Sequence, residues 1–152
     1  MSIIQSLVNG IETLASFFNE EPRVARYVTL AETAGGLTIP DAANPLSDRH
    51  LQNIHVPGLL NGSLPVIFFR TKNTGRPTFS VRLNNTQLTQ HTFADGGLNS
   101  WHEIVPAGAL KPENNELILS VSGEGDVTFS DVVILYTSNR LTVKLPPVLS
   151  QG

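Results

Sequence analysis

The chain has no cysteine. Disulfide staples, thiolate nucleophiles and Cys-ligated zinc are therefore excluded together. Charge is scarce too: charged residues make up 15% of the sequence, the formal net charge is −3, and the ten Lys and Arg residues are scattered with no basic run. A nucleic-acid partner is not expected, because such binding needs clustered cations to displace counterions. Long apolar runs are also missing. The start, "MSIIQSLVNGIETLASFF", is interrupted by polar residues every two or three positions, so no membrane span is expected. It also lacks a cationic stretch ahead of its apolar residues, which makes it a poor secretory signal. The expectation is a soluble protein, cytoplasmic or part of an assembled particle. No HExxH, GxSxG, Walker loop or GxGxxG occurs in the sequence, so catalysis is not expected.

What is present suits one domain. In 152 residues, 40% are hydrophobic, and a chain of this size buries roughly 70% of its unfolded surface. Residues 1–21 read as an amphipathic helix. Ile3, Ile4, Leu7, Val8, Ile11, Leu14, Ala15 and Phe18 make one apolar stripe, opposite Gln5, Asn9, Glu12, Thr13 and Ser16. That polar side carries no Lys or Arg, so an anionic membrane surface is not its target. The stripe packs either on the rest of the chain or on copies of itself. In the second case Ile4, Leu7, Val8, Ile11, Leu14 and Phe18 are the oligomerisation residues, and the protein is a homo-oligomer.

From Arg23 the period changes to two, and residues 22–152 read as one β domain. "VARYVTL" alternates as a strand. Residues 31–50 read as loop, with one short strand at Leu37–Ile39. "LPVIFFRT" has the continuous apolar character of a strand buried on both sides, ended by the turn "KNTGR". "PTFSVRL" places Phe79, Val81 and Leu83 on one face and Ser80 and Arg82 on the other. Asn84-Asn85 is a turn and "ADGGLNS" a loop, after which "WHEIV" is a strand stopped by Pro106. "ELILSVSG" puts Leu117, Leu119 and Val121 on one side, and "VTFSDVVILYT" is a strand kinked near Ser130-Asp131. "LTVKL" closes the pattern. Many short strands between Gly, Asn and Pro turns point to an all-β antiparallel jelly-roll sandwich preceded by one helix.

The stretch "WHEIVPAGALKPENNELILSVSGEGDVTFSDVVILY" resembles the C-terminal half of galactose-binding-like jelly rolls, the fold of many carbohydrate-binding modules and of glycosidase sugar-binding domains. Val105-Pro106, Leu110-Lys111-Pro112 and Asn115-x-Leu117-x-Leu119 match that pattern. Asn114 takes a position where the family usually has Gly, an exchange that left-handed Asn tolerates. Upstream, "VRLNN" resembles the usual Val-x-Leu-Asn-Gly, so the likeness covers residues 55–137. It implies the fold and a glycan ligand.

The chemistry-bearing residues are few. "HTFADGGLNSWHE" is the ligand candidate: Trp101, the only tryptophan, would stack on a sugar ring, with Asp95, Asn99 and His102 supplying hydrogen bonds. Arg82 would join them if its face is concave. The alternative is a core Trp101. His102 and Glu103 are strand neighbours and so point apart, and His91 reads as a solvated strand residue. Asp41, Asn44 and Asp48 offer oxygen ligands for a structural calcium, as in related sandwiches, yet their spacing fits no defined calcium loop; they read as turn residues, with no metal or cofactor expected. Two functions remain open: a non-catalytic, lectin-like carbohydrate-binding module, or an assembly protein that self-associates through its N-terminal helix.

Overall fold

The computed structural model describes residues 22–31 and 35–141. The expected helix over residues 1–21 and most of "LTVKL" lie outside the described residues. Among the described residues nine strands follow one another: β1 (Val24–Ala31), β2 (Leu37–Ile39), β3 (Asp48–Ile54), β4 (Val66–Gly75), β5 (Thr78–Leu83), β6 (Thr86–Thr92), β7 (Gly97–Ile104), β8 (Asn115–Ser122) and β9 (Gly125–Ser138). All pairings are antiparallel. One sheet has the order β1-β9-β4-β7, with β2 on the early part of β9; the other has the order β3-β8-β5-β6. This is the two-layer antiparallel sandwich the alternation predicts.

The core lies between the layers. Phe79, Val81 and Leu83 from β5 and Leu117, Leu119 and Val121 from β8 face Ile67 and Phe69 from β4 and Val127, Phe129, Val132 and Ile134 from β9. Fully burying each such side chain contributes about 1.5–3 kcal/mol. Phe69, Phe79 and Phe129 meet edge-on or tilted at 5.7–6.1 Å between ring centroids, the arrangement aromatic quadrupoles favour.

The turn chemistry is local. Asn84 and Asn114 adopt φ of 52° and 57°, the left-handed region that Asn enters more readily than other residues bearing a Cβ. The kink near Ser130-Asp131 is a bulge: the β4 partners skip between Phe68–Val133 and Arg70–Ser130, and Asp131 has φ of 50°.

Three expectations need correction. "VIFF" is buried on one side only, because Ile67 and Phe69 enter the core while Phe68 faces out. β4 also continues through Lys72, Asn73 and Thr74, and β7 begins at Gly97, so the "KNTGR" turn and the "ADGGLNS" loop are shorter than they read. Both extensions come from ladder pairing, which supplies backbone partners to residues of low strand propensity. Finally, Asp48–Ile54 is a strand, so the loop ends before Asp48 and not at His50: polar residues on the strand's outward side hide it from a hydrophobicity reading.

Candidate functional site

The outer face of the four-stranded sheet carries an open concavity. At one end of this face the outward positions of β5 and β8 are small and hydroxylated, and the register lines them up. Asp48 on β3 pairs with Ser120 on β8, Ser120 with Ser80 on β5, and Ser80 with Gln90 on β6, giving one polar row across all four strands. Alongside runs Ser122–Thr78–Thr92, in which the Thr78 and Thr92 hydroxyls share a 2.7 Å hydrogen bond. Because Ser and Thr are short, these rows leave an open groove of about 510 Å³ over the sheet, walled by Pro40, Pro45 and Ser47.

The wall is pinned by Arg49. Its guanidinium donates to the carbonyl oxygens of Asn44 (3.0 Å), Asp48 (3.1 Å) and Leu46 (3.2 Å), and the Val121 amide donates to the Ser47 carbonyl at 2.9 Å. Loop 40–47 is thus fixed to the sheet edge beside the groove. Farther along the same face, Gln52 and His50 bracket Glu116 at 2.7 and 3.3 Å. The Gln52 hydrogen bond, followed by His50, holds the Glu116 carboxyl below its ordinary value.

Chemically, the groove offers hydroxyls and a carboxamide that both donate and accept, one carboxylate that accepts, and two proline rings as apolar wall. That set matches a neutral polyhydroxylated ligand. Asp48 is the only acid among its lining residues.

The residues singled out from sequence do not meet. Trp101 projects between the sheets from β7: its ring lies at 14° to Phe69, touches Phe79, Phe93 and His91, and its Nε1 donates to Thr71 at 2.8 Å. It is a half-buried flank of the core. Asn99 lies on the same side of β7, whereas His102 points out from the five-stranded sheet against Phe68. Asp95 is exposed in the loop, where its carbonyl accepts the Asn73 side chain at 3.1 Å. Arg82 alone shares the groove's face, one row over, paired with Ile118. Period-two alternation reverses each neighbour, which is why Trp101 and His102 diverge.

Asp41 and Asn44 bond each other through their backbones at 3.1 and 3.0 Å, and Asn44 Oδ1 accepts the Leu46 amide at 3.3 Å, so both are engaged in a turn. Among the described residues no three His, Asp or Glu groups gather as a metal cluster. Among the described residues, too, no helix is long and apolar enough to cross a membrane. The groove residues Ser80, Ser120, Ser122, Thr78 and Gln90 were missed as a site. Their trace in the sequence is the serine at outward parity in both "FSVRL" and "LILSVS".

No model of a protein family matches the chain, and no curated protein matches it. Solved structures do. The dimeric latent PorU from Porphyromonas gingivalis aligns with a TM-score of 0.58 and 11% identity over 76% of this chain; the chain spans only 13% of that protein's length. The CBM36-1 domain of a multidomain xylanase from the hindgut metagenome of Trinervitermes trinervoides aligns with a TM-score of 0.43 and 9% identity, over 78% of this chain and 100% of that one. A carbohydrate-binding module CBM36 in complex with calcium and xylotriose gives 0.41 and 11%, over 77% and 99%. At these identities the likeness is one of fold.

Proposed function

We propose that the chain is a non-catalytic carbohydrate-binding module whose ligand lies in the groove on the four-stranded sheet. The observation that carries the reading is the polar row Asp48–Ser120–Ser80–Gln90, laid by strand register under an open volume of about 510 Å³. A volume of that order is typical of small-molecule sites, and closely set donors and acceptors on rigid strands suit sugar hydroxyls. The single lining carboxylate supports binding without cleavage, since glycoside hydrolysis commonly uses two carboxylates flanking the bond. No aromatic ring is exposed as a stacking platform in the groove, so the affinity expected is weak, in the millimolar-to-micromolar range.

The test is a titration of neutral oligosaccharides, xylo-oligosaccharides among them, followed by amide chemical shifts. Shifts should cluster on β5 and β8. Ser120→Trp should fill the groove and weaken binding by about tenfold or more, the worth of roughly 1.4 kcal/mol. Trp101→Phe should leave affinity unchanged. A panel with no binder, or binding that Ser120→Trp does not alter, overturns the reading.

A second reading, assembly through the N-terminal residues, draws on the outer face of the five-stranded sheet, where register sets Tyr27, Leu135, Val66 and Ile104 in one apolar row. Light scattering on the full chain separates the two, because only assembly requires a mass of at least twice 16.4 kDa.

A further inference from the structure

The polar face of the four-stranded sheet does not end at the groove. Two residues beyond Ser80 on β5 stands Arg82, on the same outward side and about 7 Å farther along the strand. Register gives it a row of its own: His50 on β3 pairs with Ile118 on β8, Ile118 with Arg82, and Arg82 with Gln87 on β6. A bulge in β6 passes over Leu88 and leaves Gln87 and Gln90 both exposed, and the Gln87 Nε2 donates to the Gln90 Oε1 at 3.4 Å. Groove and Arg82 row are thus one surface. Among the described residues Arg82 makes no ion pair, and its side chain stands in solvent. Glu116, the acid on the neighbouring strand, is turned from it: Gln52 and His50 hold that carboxylate at 2.7 and 3.3 Å from β3, across β8 from Arg82. Asp48 lies two strands and one row away, about 12 Å by strand spacing and beyond a screening length of about 8 Å.

We infer that the ligand of this face is an acidic glycan: a neutral sugar residue fills the groove, and the carboxylate of an adjoining uronic acid sits on Arg82. The inference rests on the groove reading and names the class of its ligand. A guanidinium is planar and always charged, and its paired N–H donors match the two oxygens of a carboxylate. Such charge-assisted bonds are roughly twice as strong as the neutral ones that the groove's hydroxyls and carboxamide offer. The charges also sort the two sugars. Asp48 repels an anion seated in the groove, so the neutral residue belongs there, and the carboxylate belongs one row on, where the cation is unopposed. Ile118, half-buried between His50 and Arg82, gives the second sugar an apolar floor, and Gln87 gives its hydroxyls an amide.

The experiment compares ligands that differ only in charge. Oligogalacturonate, oligomannuronate and a xylo-oligosaccharide branched with glucuronic acid are each titrated into the full chain beside their own methyl esters, followed by amide chemical shifts. At least one acid should bind about tenfold more tightly than its ester at low salt, and most of that advantage should vanish at about 0.5 M salt. Its shifts should reach Ile118 and Gln87 as well as Ser80 and Ser120. Arg82→Gln, an exposed change that spares the core, should bring the acid down to its ester and leave the ester's affinity as it was. Esters that bind as tightly as their acids overturn the inference and leave the groove reading standing. An acid preference that survives Arg82→Gln also overturns it. A sulfated galacto-oligosaccharide that outcompetes every uronate assigns Arg82 to sulfate and removes the carboxylate. Failure of acids and esters alike sinks the groove reading, and this inference with it.

Discussion

Asn115 is the residue on which the turn before β8 depends, and replacing it by leucine should cost about 3–5 kcal/mol. The side chain is 1% exposed. Its Oδ1 accepts the Lys111 amide at 2.8 Å and the Asn84 side-chain amide at 3.0 Å; its Nδ2 donates to the carbonyls of Lys111 at 2.6 Å and Ile54 at 3.0 Å. Three chain segments, the end of β3, the 109–111 turn and the β5–β6 turn, are thereby held by one carboxamide. Leucine has similar volume and makes none of these bonds. The Asn84 amide keeps Ala109 as an acceptor at 2.7 Å, so it loses little. The Ile54 carbonyl is orphaned in a buried place, at about 1–3 kcal/mol, and the two half-buried Lys111 groups add roughly as much again. Against a total stability of about 5–15 kcal/mol this is a large fraction. At roughly 2–4 °C per kcal/mol, the melting temperature should fall by about 6–20 °C. Urea unfolding followed by far-ultraviolet circular dichroism measures it directly. Asn115→Asp adds a sign test: a carboxylate facing two carbonyl oxygens has its pKa raised in the folded state, so that variant should lose stability as pH rises through that value. A leucine variant within about 1 kcal/mol of wild type would refute the account, because solvent would then be satisfying groups taken here to be sealed.

Two further perturbations follow from the same structure. Gly125 opens β9 with φ of 114°, and a Cβ there would collide with the Thr74 carbonyl oxygen, so Gly125→Ala should cost about 2 kcal/mol or more in urea unfolding; a neutral result would mean the β4–β9 ladder pairs differently at this end. Burial pushes the Tyr136 hydroxyl above its ordinary value, with Arg26 opposing. Stability that Tyr136 contributes is thus full below the unfolded pKa of about 10 and lost as pH climbs through the raised folded value. Urea midpoints should drop more steeply above pH 10 in wild type than in Tyr136→Phe, and parallel curves would contradict it.

Much of the core could be read directly. In "TFSVRL" and "ELILSVS" the period of two fixes which side chains go in, and Phe79, Val81, Leu83, Leu117, Leu119 and Val121 are all buried as that period requires. The Lys-Pro-Glu-Asn-Asn turn was equally legible, because Pro112 and the left-handed Asn114 act through their own backbones. Trp101 shows where such reading stops. Its alternation parity was visible, but whether that parity meant core or ligand depended on which sheet β7 joined, and β4, some thirty residues away, made that choice.

The candidate site marks the same boundary. Ser80 and Ser120 each announce only an outward, small, polar position. That they lie side by side, continue into Asp48 and Gln90, and floor a groove walled by loop 40–47 is a property of strand order β3-β8-β5-β6. Likewise, no local pattern places Tyr27, Leu135, Val66 and Ile104 in one row. Sequence alone determined which face of each strand is apolar and where the chain must turn, since those are interactions between near neighbours. Only the tertiary structure decided which polar positions become neighbours, because register between distant strands is set by the summed fit of the whole core and not by any residue at the site.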